Sequence, residues 1–115
     1  MLRGDIHLVN LDPVRSNGAN KQRPAVIVSN DRANAAAQRL RRGVITVVPV
    51  TSNVTPVYPF QALLPADRTG LPRDSKAQAE QIRFVSIERV GAALGHLPAD
   101  LLAHLDDAIR IHLDL

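Results

Sequence analysis

The chain has no cysteine, no tryptophan, only three aromatic residues and only two lysines among its fourteen Lys and Arg. Without cysteine there are no disulfides, no thiolate nucleophile and no cysteine-based zinc site. With only Tyr58, Phe60 and Phe84 as rings, a platform for stacking successive bases is not the main source of any nucleic-acid affinity. No stretch approaches the roughly 20 apolar residues of a membrane span. The start, Met1-Leu2-Arg3-Gly4-Asp5, lacks an apolar run of signal-peptide length. The expectation is a cytoplasmic protein with no membrane association. Nucleophile-elbow, HExxH and phosphate-loop patterns are also missing. His7, His96, His104 and His112 fall at no spacing that suggests a shared metal, so no metal or other cofactor is expected.

What is present is ordinary in amount and uneven in place. The 115 residues fit one domain spanning 1–115, and 45% of them are hydrophobic, enough for one real core. The net charge is +3, yet residues 1–60 hold eight cations against three anions, while residues 98–115 hold one cation against four anions. That asymmetry favours an anionic partner for the first half. The cations are nearly all Arg, whose planar fork grips phosphate bidentately. A charge kept only for solubility is equally compatible with composition.

Hydrophobic patterning gives the frame. Asp5–Leu11 alternates as a strand and stops at Asp12-Pro13. Residues 14–22 are a long polar loop. Pro24 is expected to open a second strand, with Ala25 to Val28 buried on both faces. Asn30-Asp31 is an N-cap for an Ala-rich helix that Gly43 closes, with Arg39, Arg41 and Arg42 crowded at its negative end. Val44–Val50 is the strongest strand, Pro59–Leu64 is another, and Asp67–Asp74 is a turn region. Ser75–Ser86 changes parity midway, which predicts a β-bulge near Glu80-Gln81. Val90–Leu97 is a last strand. Pro98 then opens a helix whose Leu101, Leu102, Leu105, Ala108, Ile109 and Leu113 face the core. The sum is an α+β domain whose antiparallel sheet curls toward a barrel, with a mid-chain and a C-terminal helix.

Two polar clusters lie at strand ends. One is the 15–23 loop ending in Arg23, and the other is Thr51-Ser52-Asn53. If the strands Ala25–Ser29 and Val44–Val50 are neighbours, Arg23 and Thr51 meet at one rim. An arginine with a hydroxyl is a minimal phosphoryl site, because the guanidinium neutralises charge on a phosphorane and the hydroxyl donates to a non-bridging oxygen. RNA brings its own nucleophile in the 2′-hydroxyl, so the protein must mainly orient and stabilise. An exposed surface arginine beside a strand is the plainer alternative.

Four short motifs in register resemble one family. They are Arg3-Gly4-Asp5 before a strand, Lys21-x-Arg23-Pro24 before an apolar strand, Pro49-Val50-Thr51-Ser52-Asn53 after one, and Asp74-Ser75 followed by Glu80-Gln81-Ile82-Arg83. Over essentially the whole chain they are similar to the MazF/PemK toxins of toxin–antitoxin pairs. The resemblance implies a small SH3-like or CcdB-like curled β-barrel acting as a homodimer. It implies a metal-independent, sequence-specific endoribonuclease that cuts single-stranded mRNA, leaving 2′,3′-cyclic phosphate and 5′-hydroxyl ends. Arg23 and Thr51 take the catalytic positions. RNA contacts map to Asn17, Asn20 and Lys21, to Ser52 and Asn53, and to Gln78 and Gln81. The partner implied is a MazE-like antitoxin whose acidic, apolar tail covers the basic groove. Many relatives carry a glutamate a few residues before the arginine, where this chain has Gly18, so a carboxylate base is missing there. Two alternatives stand beside this reading: a CcdB-like toxin that binds gyrase, and an RNA-binding barrel without activity.

Overall fold

A computed structural model describes residues 1–12 and 21–115. Seven strands run β1 (Asp5–Asn10), β2 (Gln22–Ile27), β3 (Val44–Thr51), β4 (Gln61–Leu64), β5 (Ser75–Gln78), β6 (Arg83–Ser86) and β7 (Val90–His96). Three helices accompany them, α1 (Asp31–Leu40), α2 (Ala66–Thr69) and α3 (Ala99–Leu113). Every pairing among the described residues is antiparallel, in the order β4-β5-β3-β2-β1-β7, with β6 on β3.

The central strands are buried on both faces because a core lies on each side. Val26, Val28, Val48 and Val50 face α3, whose Leu101, Leu105 and Ala108 recur along one stripe. Ala25, Ile27, Ile45 and Val47 face the other way, with Val9, Val85 and Ala37 of α1. Strand periodicity of two divides each apolar run between the two cores. Leu113 was expected in the first core and is instead 46% exposed, because the helix outruns the sheet it packs on.

The sheet curls but does not close, since β4 and β7 remain the two ends of the strand order. α2 follows β4 almost at once, and its end abuts β7 instead. A Cβ on Gly70, whose φ is +84°, would lie 2.9 Å from the Leu94 carbonyl oxygen, and one on Gly95 would collide with the Thr69 carbonyl oxygen. A helical turn thus stands where a closed barrel needs a strand pair. The same segment was expected as a turn region.

Ser75–Ser86 is two strands, and both halves pair with β3. The register joins Val50 to Ala77 and Thr51 to Lys76 in β5, then Val44 to Ser86 and Val47 to Arg83 in β6. Position sums along the two ladders differ by three, the length of the 3-10 turn Ala79–Gln81. The parity change is therefore a three-residue insertion and not a one-residue bulge. An odd insertion of either length flips parity, so the pattern alone does not distinguish them.

Local chemistry elsewhere departs from expectation in small ways. Asn30 caps α1 as foreseen, its side chain accepting from the Ala33 N–H at 2.8 Å. The helix ends at Arg41 in the left-handed region (φ 53°), two residues before Gly43. Arg3-Gly4-Asp5 proves to be an anchor. The Arg3 guanidinium donates to the Val28 carbonyl at 2.9 Å and pairs with Asp106 of α3 at 2.6 Å, tying helix to sheet.

Candidate active site at the ends of β2 and β3

β2 begins at Gln22, so Pro24 is its third residue and not its first. Pro24 sits opposite Leu8 of β1, while the ladder to β3 starts only at Ala25, opposite Pro49. The proline nitrogen has no hydrogen to donate, which suits a position where pairing on one side has stopped. Carried two residues further, the same antiparallel register brings Arg23 level with Thr51. The two strand ends thus diverge without a ladder between them, and a concave surface opens there.

Two clefts meet at that point. One, of about 300 Å³, is lined by Arg23, Thr51, Ser52 and Arg73 among others. The second, of about 290 Å³, is lined by Arg23, Thr51, Gln78, Gln81 and Arg83 among others. Arg23 is exposed and Thr51 half-buried. The Thr51 hydroxyl oxygen accepts the Asn53 backbone N–H at 3.2 Å, which leaves its own hydrogen to be donated outward. Among the described residues the Arg23 guanidinium makes no ion pair.

Of the other expected contacts, Ser52, Gln78 and Gln81 line one cleft or the other. Lys21 and Asn53 are exposed but line neither. Asn53 is engaged locally, accepting the Thr55 N–H at 3.4 Å. Asn17, Asn20 and Gly18 lie outside the described residues. Glu80, part of the same motif as Gln81, is structural: one carboxylate oxygen accepts from the Gln61 amide at 2.8 Å, away from the clefts.

Arg73 and Arg83 are lining residues to which sequence reasoning assigned no role, though Arg83 closes the motif Glu80-Gln81-Ile82-Arg83. Arg83 follows the Glu80-Gln81-Ile82 run, and its guanidinium donates to the Leu11 carbonyl at 3.0 Å. Arg73 stands immediately before Asp74-Ser75 in a Pro-containing turn, a position whose only sequence signal is that motif. Among the described residues the clefts therefore carry three guanidinium groups and no acidic lining residue. An array of this kind suits the phosphate oxygens of a nucleic-acid backbone, and a guanidinium that reaches the reacting phosphorus can stabilise its pentacovalent transition state. Among the described residues, no three histidine, aspartate or glutamate side chains are grouped to hold a metal ion.

Known proteins are similar to this chain in sequence and share its fold. Residues 2–113 match the family model described as the PemK-like, MazF-like toxin of type II toxin–antitoxin systems. The chain is 63% identical over 115 residues to the endoribonuclease MazF9 of Mycobacterium tuberculosis, covering 100% of this chain and 98% of that one. A MazE–MazF structure from Deinococcus radiodurans superposes with a TM-score of 0.79 at 26% identity, covering 100% of this chain and 96% of that one. The M. tuberculosis toxin MazF-mt6 shares the fold, with a TM-score of 0.77 at 24% identity over 96% of this chain and 97% of that one. A family match over nearly every residue and a full-length relative at this identity leave one conclusion: the chain belongs to the PemK-like, MazF-like toxins of type II toxin–antitoxin systems.

Proposed function

We propose that this toxin is a metal-independent endoribonuclease that cuts single-stranded mRNA at Arg23 and Thr51. The observation that carries the proposal is that these two side chains, from different strands, line the same two clefts. The 2′-oxygen attacks the adjacent phosphorus and gives its proton to solvent. The P–O5′ bond breaks, and the leaving 5′-oxygen takes up a proton. The products are a 2′,3′-cyclic phosphate and a 5′-hydroxyl. Arg23 neutralises the charge that develops on the phosphorane, and Thr51 donates to a non-bridging oxygen. The strand frame sets the backbone of both residues at one rim before substrate arrives, which lowers the cost of orienting them.

In this reading residues 1–115 act as one domain, as a homodimer, in the cytoplasm. No described helix is long and apolar enough to cross a membrane. The antitoxin is MazE-like, and an acidic tail from it fits by charge the clefts, whose described lining has no carboxylate. The test is incubation of purified protein with total RNA in EDTA, followed by primer extension. Discrete cuts with 5′-hydroxyl ends are expected. Intact RNA would remove the proposal and leave a gyrase-binding toxin or an inactive RNA-binding protein to consider.

A further inference from the structure

The two clefts that share Arg23 and Thr51 differ in chemistry. The one holding Gln78 and Gln81 presents amides, each with a donor and an acceptor on one group, as recognition of base edges requires. The one holding Arg73 presents, among the described residues, guanidinium groups and the Ser52 hydroxyl, and no amide side chain. Hydroxyls and guanidinium groups suit phosphate oxygens, which are the same at every nucleotide.

Arg73 is also held in a way that a surface arginine need not be. Its loop is fixed before and after it. Gly70 takes a positive φ that ends α2 against β7, and Leu71 is 5% exposed in the core. The Asp74 carboxylate accepts the Ala66 N–H at 2.9 Å, and the Ser75 hydroxyl donates to the Arg73 carbonyl at 2.9 Å. Asp74-Ser75, which the sequence marks without assigning it chemistry, thus fixes the backbone that carries Arg73. The side chain itself is exposed, and among the described residues its guanidinium makes no ion pair.

We propose that Arg73 grips an RNA phosphate next to the scissile one, independently of base sequence. The proposal rests on the nuclease reading above. Arg73 is a binding residue and plays no part in the chemical step.

The test uses the full-length protein and a long RNA transcript of mixed sequence. Cuts are mapped first, and kinetics then follow on a short oligonucleotide spanning one mapped cut, over a salt series. For Arg73→Ala we expect kcat/KM to fall about tenfold at low salt, as for loss of one charge-assisted contact. At saturating RNA, kcat should stay within about twofold. The slope of log kcat/KM against log salt should shrink by about 0.7, the share of one single-strand phosphate. The cut map should not change, and Arg73→Lys should recover most of the salt slope. An unchanged kcat/KM and slope in Arg73→Ala would overturn the assignment, as would new cut sites in that variant. So would an effect confined to binding of an acidic antitoxin. If wild type cuts and Arg23→Ala does not, a silent Arg73→Ala sinks the Arg73 assignment alone. If wild type leaves the transcript whole, the nuclease reading falls and takes this assignment with it.

Discussion

Two hollows of this molecule invite comparison, the one beside His7 and the pair of clefts at Arg23. The first is the roomier, about 360 Å³ against about 300 and 290 Å³. Its His7, Gln38 and N-terminal amine are engaged by the fold. His7 donates through Nδ1 to the Gly91 carbonyl at 3.0 Å, and the N-terminal ammonium donates to the Gln38 side chain at 3.2 Å. Arg41, at its edge, is the residue that ends α1 in the left-handed region. The clefts at Arg23 are smaller, but their guanidinium groups have no carboxylate partner among the described residues. The hollow beside His7 is lined by the carboxylate of Glu88 as well as by Arg41, whereas the described lining at Arg23 has arginines and no carboxylate. Unbalanced positive charge, more than volume, marks where an anion belongs.

That contrast can be broken by substitution. The largest expected effect is Arg23→Ala, a loss of at least ~10² in cleavage rate with the fold kept, since it removes charge stabilisation from the transition state. Thr51→Ala should follow with a loss of about 10², read on the same oligonucleotide by single-turnover kinetics. His7→Ala should leave cleavage within about twofold of wild type while lowering stability in urea by ~1 kcal/mol, the usual worth of one hydrogen bond. A large loss of activity there would place chemistry in the wrong hollow.

The smallest effect concerns the surface pair of Arg68 and Asp100, at 2.8 Å. The hydrogen bond from Arg68 holds the Asp100 carboxyl below its ordinary value. A carboxyl held low in the folded state stabilises above its unfolded pKa, and that stability is lost as pH falls through the folded one. Asp100→Asn should therefore flatten the acid side of the stability curve slightly, below about pH 4. It should leave RNA cleavage alone, because both partners are exposed and neither lines a cleft.

Much of this arrangement was legible in the residues. The apolar run Ala25 to Val28 announced a strand buried on both faces, and Val44–Val50 announced its partner. Thr51 marked where β3 ends and Pro24 where pairing to β3 stops, although β2 itself begins at Gln22. Arg23 and Thr51 line the clefts there. What escaped was set by contacts distant in sequence. The three-residue turn Ala79–Gln81 looks like a bulge to any pattern that counts parity. The open sheet depends on Gly70 and Gly95 allowing α2 to approach β7, and neither glycine reveals its neighbour. Arg73 was invisible as a lining residue because Asp74 and Ser75 fix its loop through contacts the sequence does not show, while its surroundings in sequence read as an ordinary polar turn.

The most direct measurement is a double-mutant cycle on Arg23 and Thr51, using single-turnover cleavage of one oligonucleotide at a mapped cut. If both groups act on one phosphodiester, Arg23→Ala and Thr51→Ala together should slow the reaction little more than the worse of the two alone. Losses that simply multiply, or full activity in either single variant, would contradict a shared scissile phosphate.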